Sequence, residues 1–320
     1  MTEEVLQDAG RPARTPLQES WRILRRNRLA MTGLVFFVAF FVVAVIGVIL
    51  TQEWSARYRP LLDPARIRLA DKLRAPFAAY NAEEVPESEK PLFGIYVLGT
   101  DSLGRDILSR MLQGAWVSLT VGFVAVGISV AIGIFLGGLA GYFGRWVDVI
   151  IMRFVDIMLC IPRFFLILTV LALWGGGIFK IMLVVGITSW MGTTRFIRAE
   201  FLSLREQDFV TAARALGVYN LRIIFRHMLP NALAPVLVSA TIGIAGAILL
   251  EAGLSFLGFG VPEPHATWGK LLNDGRKYLF DAPWLTFTPG LAILVVVLSF
   301  NLFGEGLRDA FNPKLRERAT

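Results

Sequence analysis

The chain has 320 residues, 55% of them hydrophobic, a mean hydropathy of +0.60 and a formal charge of +7. Those values lie outside the range of soluble globular domains and specify an integral membrane protein. The basic excess is explained by loops on one side of a bilayer, since no basic run interleaved with aromatics suggests nucleic-acid binding.

In chain order, residues 1–28 are polar and carry six arginines. Residues 29–50 are the first stretch able to cross roughly 30 Å of hydrocarbon. No small-residue cleavage site follows it, so it reads as a retained signal-anchor. Residues 51–114 form an extended outer loop and lead-in, rich in proline, charge and alanine. Further apolar stretches follow at 115–140, 149–174, 178–194, 232–257 and 285–304. The third and fourth are separated only by Gly175-Gly176-Gly177, which supply a tight turn. The expected fold class is an all-α integral membrane protein with six transmembrane helices. Its main transmembrane domain covers 115–306, interrupted by a polar loop at 195–231, and a tail occupies 307–320.

Positive charge sets the orientation. Arg22, Arg25, Arg26 and Arg28 precede the first span, and Arg308, Lys314, Arg316 and Arg318 follow the last. The 195–231 loop adds six arginines. With six spans all three regions fall on one face, which is then the cytoplasm, and both termini lie there. The outer face holds the 51–114 loop and a second loop at 258–284 with Trp268 and Trp284, which are either interface anchors or part of a docking surface.

Several features lie inside the apolar stretches. Gly133, Gly137 and Gly141 recur every four residues on one helix face, a spacing that lets backbones approach closely. They pack either within the chain or against a second membrane subunit. Asp148, Arg153 and Asp156 open the third span, and Arg153 and Asp156 are spaced to pair on one helix face. Cys160, the single cysteine, reads as a small buried hydrophobe. Pro162 is expected to kink the span, and Arg163 beyond it to face the bundle interior or a pore. Glu251, near the outer end of the fifth span, is either a gate at the mouth of a pathway or a hydrogen-bonded residue at a helix bend.

Catalytic and nucleotide motifs are missing. No G-x-x-x-x-G-K-[ST], H-E-x-x-H or G-x-S-x-G occurs, and His227 and His265 are far apart. The chain is therefore read as a non-catalytic membrane subunit with no cofactor or metal of its own.

The polar stretch LREQDFVTAARALGVYNLRIIFRHMLPN is the most informative segment. Phe209, Ala212, Ala213 and Leu216 recur at helical spacing and suggest one helix with an apolar face. Gly217 fits its C-cap, where a residue without Cβ adopts a left-handed conformation. A second short helix is expected over about 220–229, ended by Pro230. Asp208, Arg214 and Arg226 could fix register on a partner through charge-assisted bonds. On physical grounds the hairpin is either a docking surface for a partner in the water or an amphipathic element lying on anionic lipid.

Resemblance favours docking. Thr211-Ala212-Ala213, Gly217 after three residues, His227 after nine more, and Leu229-Pro230 resemble the EAA loop of ABC importer permeases, with Thr211 in place of Glu and His227 in place of Ile. RIIFRHMLPN is similar to the peptide-permease branch. So are LGTDSLGRDILSRMLQGAWVSL at 98–119, AGYFGRWVDVIIMRFVDIML at 140–159, EAGLSFLGFG at 251–260 with Trp268-Gly269 beyond it, and FNLFGEGLRDAFNPKL at 300–315. The resemblance covers roughly residues 15–315 and points to C-type subunits of oligopeptide and dipeptide importers.

That resemblance implies the type I ABC importer permease fold in a bacterial or archaeal cytoplasmic membrane. It implies a second, B-type permease as partner, two ABC ATPase subunits that carry ATP and magnesium, and an extracytoplasmic solute-binding protein. Residues 208, 211–214, 216–217, 226–227 and 229–230 then form the ATPase-coupling loop, and Trp268 and Gly269 are candidates for binding-protein docking. Rival readings are the same family with nickel chelates or other small solutes as cargo, a self-sufficient channel or secondary carrier, and an intramembrane enzyme, for which no catalytic group is recognisable.

Overall fold

The computed structural model describes residues 16–52 and 61–311. Lys314, Arg316 and Arg318 lie outside the described residues. Eleven helices dominate: α1 (Pro16–Arg26), α2 (Arg28–Thr51), α3 (Ile107–Phe143), α4 (Arg145–Leu159), α5 (Arg163–Trp174), α6 (Ile178–Ile187), α7 (Trp190–Arg205), α8 (Asp208–Ala215), α9 (Asn220–Phe256), α10 (Trp268–Gly275) and α11 (Trp284–Phe311). One two-stranded antiparallel ribbon, β1 (Ala78–Ala79) with β2 (Ile95–Tyr96), sits in the 61–106 loop.

Four helices, α2, α3, α9 and α11, are long and apolar enough to cross a membrane. Their caps follow local chemistry. Asn27 accepts from the Ala30 N–H to start α2, and Asp106 accepts from Leu108 and Ser109 to start α3. Helix α3 thus begins eight residues before the apolar stretch expected at 115.

The six-helix expectation is corrected in detail. The expected third span is two helices, α4 and α5, bent by 76° at the Cys160–Pro162 break. Proline offers no N–H, and the chain restarts with Pro162 as the cap of α5. Cys160, at that break, is exposed and not buried as expected. The expected fourth span is also interrupted. Helix α6 stops at Ile187, where Thr188 and Ser189 turn their hydroxyls back onto the Val184 and Val185 carbonyls, and α7 restarts at Trp190. The Gly175–Gly177 turn, with φ +81° and +154° at its ends, separates the two broken passes.

Contacts fix the direction of each pass. A Cβ on Gly176 would sit 2.8 Å from the Gly260 carbonyl, so the α5–α6 turn lies at the end that also holds the 61–106 and 257–283 loops. Arg205 at the end of α7 lies against Gly144, at the opposite, hairpin end. The chain therefore rises through α4–α5 and returns through α6–α7. The start of α2 and the end of α11 meet at Ala30 and Gly306, also at the hairpin end.

The main core gathers buried aliphatics from α3, α6, α9 and α11 around Val121, Val185, Ile248 and Val296. A second cluster at the hairpin end joins Tyr142, Phe201, Val210, Ile223 and Met228. Between them α3 and α7 pack backbone to backbone along the glycine stripe. A Cβ on Gly133, Gly137 or Gly141 would come within 2.5–2.6 Å of Thr193, the Thr194 carbonyl or Phe201, respectively. The stripe therefore serves packing within this chain.

The expected Arg153–Asp156 pair is not made. Asp156 pairs with Arg195 and Asp148 with Arg198, both on α7, and Arg153 is exposed with no ion pair among the described residues. A carboxylate on α4 gains more from a neighbouring helix that fixes its partner than from a flexible side chain one turn away.

Candidate functional site

At the hairpin end α7 leads through Gln207 into α8, and the chain then turns at Gly217, whose φ of +72° only glycine adopts without strain. The Val218 N–H closes onto the Ala213 carbonyl at 3.1 Å, the six-residue closure of a Schellman cap. Val210 and Ala213 are buried against Ile223, Ile224 and Met228. The guanidinium of Arg214 lies 5.0 Å over the ring of Tyr142, whose hydroxyl donates to Asn220 Oδ1 at 2.7 Å. The tip of the hairpin is thereby fixed to the end of α3.

The apolar face expected on α8 is corrected. Ala213 turns inward with Val210, whereas Phe209, Ala212 and Leu216 remain exposed. Packing against the π turn below selects the 210/213 edge. Leu216 is 83% exposed, and Tyr219, Leu221 and Phe225 continue the exposed apolar set. Asp208, Thr211, Arg226 and Pro230 are exposed, while His227 and Leu229 are half-buried.

Pro230 does not end a second short helix. Residues 223–228 form a π turn, with the Leu229 N–H bonded to the Ile224 carbonyl, and α9 runs through to Phe256. A proline missing its donor is tolerated where the hydrogen-bond ladder has already shifted register.

A groove of about 740 Å³ opens on the side of the bundle between α3, α5, α7 and α9. Ser129, Thr193 and Ser239 contribute hydroxyls, α9 adds Gly243, Gly246 and Gly253 beside Leu249 and Leu250, and Arg163 projects from the start of α5. Arg163 thus faces the groove, as its place beyond Pro162 suggested.

At the loop end Trp268 and Gly269 cannot be surface contacts for a docking protein. Trp268 is 1% exposed, donates from Nε1 to the Met111 carbonyl at 3.1 Å, and stands edge-on to Phe40. Gly269 presses on Ala252, where a Cβ would lie 2.5 Å from the carbonyl oxygen. An amphipathic-looking tryptophan in a polar loop is here the peg that closes α10 onto α3 and α9. Glu251 is fully buried and accepts from Ser118 at 3.2 Å and Ser255 at 2.6 Å. It does not line the groove.

Sequence reasoning missed an ion cluster beside Trp268. Arg105 donates to Asp101 at 2.6 Å and Glu263 at 2.9 Å, and the wholly buried Arg110 lies 3.5 Å from Asp274 and 3.7 Å from Asp101. Burial pushes the Asp274 carboxyl up, and Lys270 and Arg110 pull it back. The local Asp-Arg spacing in LGTDSLGRDILSR was the available signal, but nothing in the sequence pairs residue 101 with residue 263 or 274. Among the described residues no cluster of three or more His, Cys, Asp or Glu could hold a metal.

The chain is similar in sequence to known proteins over most of its length. Residues 133–317 match the family model "Binding-protein-dependent transport system inner membrane component", and residues 15–64 match "N-terminal TM domain of oligopeptide transport permease C". The chain is 39% identical to a dipeptide transport system permease protein of Alkalihalophilus pseudofirmus, covering 94% of this chain and 91% of that one. It is 38% identical to a di/tripeptide transport system permease protein of Pseudomonas aeruginosa, covering 95% and 94%. An inward-facing MetNI methionine ABC transporter chain aligns at 19% identity and a TM-score of 0.48, over 63% of this chain and 96% of that chain. By the match across more than half its length and by full-length relatives at this identity, the chain belongs to the family of binding-protein-dependent transport system inner membrane components.

Proposed function

We propose that the chain is a permease subunit of an ATP-driven importer for di- and oligopeptides. The observation that carries this reading is full-length similarity to dipeptide and di/tripeptide permeases, together with an ordered polar hairpin whose outer face is apolar and uncovered. The hairpin end is cytoplasmic and receives an ATPase subunit. Both termini lie on that side, in a cytoplasmic membrane. A second permease covers the open side of the groove, and the enclosed space is the pathway. A solute-binding protein delivers cargo at the loop end, through surfaces other than Trp268 and Gly269.

Mechanism follows from stiffness. ATP-driven closure of the ATPases displaces α8, and α8 cannot move alone. Val210 and Ala213 are keyed into the α9 π turn, α7 runs directly into α8, and the glycine stripe locks α7 onto α3. The displacement therefore passes to α3 and α9, two walls of the groove, as a rigid-body rotation that alternates access. The chain itself holds the pathway and transmits force, while ATP and magnesium belong to the partner subunits.

The test is affinity purification of the tagged chain from its native membrane, followed by reconstitution. The expected result is a second permease and Walker-motif ATPases in the complex, with ATP-dependent peptide uptake into proteoliposomes. Peptide uptake by the chain alone, without ATPase subunits, would replace this reading with a self-sufficient carrier.

A further inference from the structure

Arg163 is the only charged side chain lining the groove among the described residues. It enters at the first residue of α5, after the sharp bend at Pro162, so the break in the span places this side chain mid-bundle. Its Nη2 donates to Ser189 Oγ. Its Nε is buried and has no hydrogen-bond partner among the described residues. No carboxylate lines the groove to balance it.

A guanidinium carries five donors in a planar fork, suited to the two oxygens of a carboxylate. Held between membrane helices with one neutral hydroxyl for company, it is an uncompensated charge, and such residues are kept at a cost where they serve function. The other polar groups of the groove are small neutral hydroxyls, Ser129, Thr193 and Ser239, and the rest of its lining is apolar or glycine. A pathway open to many peptide sequences can grip only what peptides share. That is the backbone, for which the hydroxyls suffice, and the termini.

We infer that Arg163, steadied by Ser189, receives the C-terminal α-carboxylate of the peptide in transit. This inference rests on the peptide-importer reading. The unmet hydrogen-bonding capacity of Arg163 and the lack of any fixed anion in the groove favour a mobile carboxylate as the missing partner.

The experiment uses the assembled importer in proteoliposomes, with trialanine-loaded binding protein outside and ATP inside. Arg163→Gln, Arg163→Lys and Ser189→Ala are compared with the parent. Arg163→Gln is expected to lower uptake about tenfold or more, the scale of losing one charge-assisted contact, while binding-protein-stimulated ATP hydrolysis changes less than about twofold. Arg163→Lys, which keeps the charge and loses the fork, recovers part of the uptake, and Ser189→Ala has a smaller effect than Arg163→Gln. Unchanged uptake in Arg163→Gln overturns the inference, since the groove arginine then answers only to lipid or solvent. Loss of the partner permease from the Arg163→Gln complex overturns it in favour of a pair between subunits. A parallel fall in hydrolysis and uptake, unrelieved by lysine, overturns it in favour of a purely structural role. Failure of the parent to take up trialanine at all defeats the peptide-importer reading, and this inference with it.

Discussion

Asp148 accepts from both Nε and Nη2 of Arg198, the latter at 2.6 Å, a bidentate pair joining the first turn of α4 to the middle of α7. About two turns further along α4, Asp156 repeats the connection with Arg195. The helix that follows the Gly144 turn is thus strapped to the helix that leads into the hairpin. Asp148→Asn is expected to destabilise the chain by about 1 kcal/mol, the low end for a charged bond because the pair is partly exposed. The check is the thermal unfolding midpoint in detergent, together with the charge swap Asp148→Arg/Arg198→Asp. Recovery of the lost stability by the swap is expected, and a swap as unstable as the sum of its singles would discard the strap.

The glycines divide into two classes with different predicted behaviour. Gly141→Leu puts side chain where Phe201 Cβ is 2.5 Å and the Arg198 carbonyl 2.8 Å from the first added carbon. Separation of α3 and α7 should cost about 1–3 kcal/mol or more. Gly246→Ala on α9 meets nothing within 4 Å and is expected to leave the isolated chain's stability unchanged. In the assembled importer the same alanine faces the groove, so its effect should appear in co-purification of the second permease or in transport. A stability loss at Gly246 equal to that at Gly141 would contradict the open side of the groove.

The contrast shows what was legible in the sequence. The four continuous helices, the glycine turn at 175–177, the Pro162 bend and the Gly217 cap follow from apolar length and from residues with strict backbone demands. The misread positions share another cause, because each depends on which neighbour a side chain meets. Asp156 prefers a helix distant in sequence to its own Arg153, Trp268 is a core peg in a polar-looking loop, and Ala213 rather than Leu216 faces inward. The groove was visible only as Arg163, since the aliphatic, glycine and small hydroxyl residues of its other walls carry no sequence signal of openness.

Trp268 gives the third prediction. Burial of the whole indole, its Nε1 bond to Met111 and its contact with Phe40 mean that Trp268→Ala should cost about 3–5 kcal/mol. Trp268→Phe should retain more stability, losing the hydrogen bond and part of the volume. Thermal unfolding of the two variants measures this. An alanine variant of parental stability that fails to bind solute-binding protein would restore the docking role withdrawn above.

Asp101 gives the fourth. Its side chain accepts from the Leu103 and Arg105 N–H groups at 2.9 Å and faces both Arg105 and the wholly buried Arg110. Asp101→Ala removes the turn bonds and leaves two guanidinium groups with less compensation, a loss of about 3–5 kcal/mol when a buried partner disappears. Because Glu263 and Asp274 remain, the additional change Arg110→Met should return part of the stability. A double variant no more stable than Asp101→Ala would mean that the turn, and not charge, is what Asp101 supplies.

The fifth prediction concerns the hairpin, where burial separates folding from docking. Ala213 is 7% exposed and keyed into α9, so Ala213→Asp should unfold the hairpin and cannot report on docking. Leu216 is 83% exposed and makes no core contact, so Leu216→Glu should alter stability by less than about 0.5 kcal/mol. If an ATPase seats on the exposed row of Leu216, Tyr219, Leu221 and Phe225, a charge at its first position should weaken association at least about tenfold, or about 1.4 kcal/mol. Co-purification of the ATPase with Leu216→Glu, scored beside the thermal midpoint of the same preparation, decides the matter. Parental stability with the ATPase lost assigns the row to docking. Parental stability with the ATPase retained returns the hairpin to the bilayer surface, where a carboxylate beside anionic lipid should loosen its contact with vesicles instead.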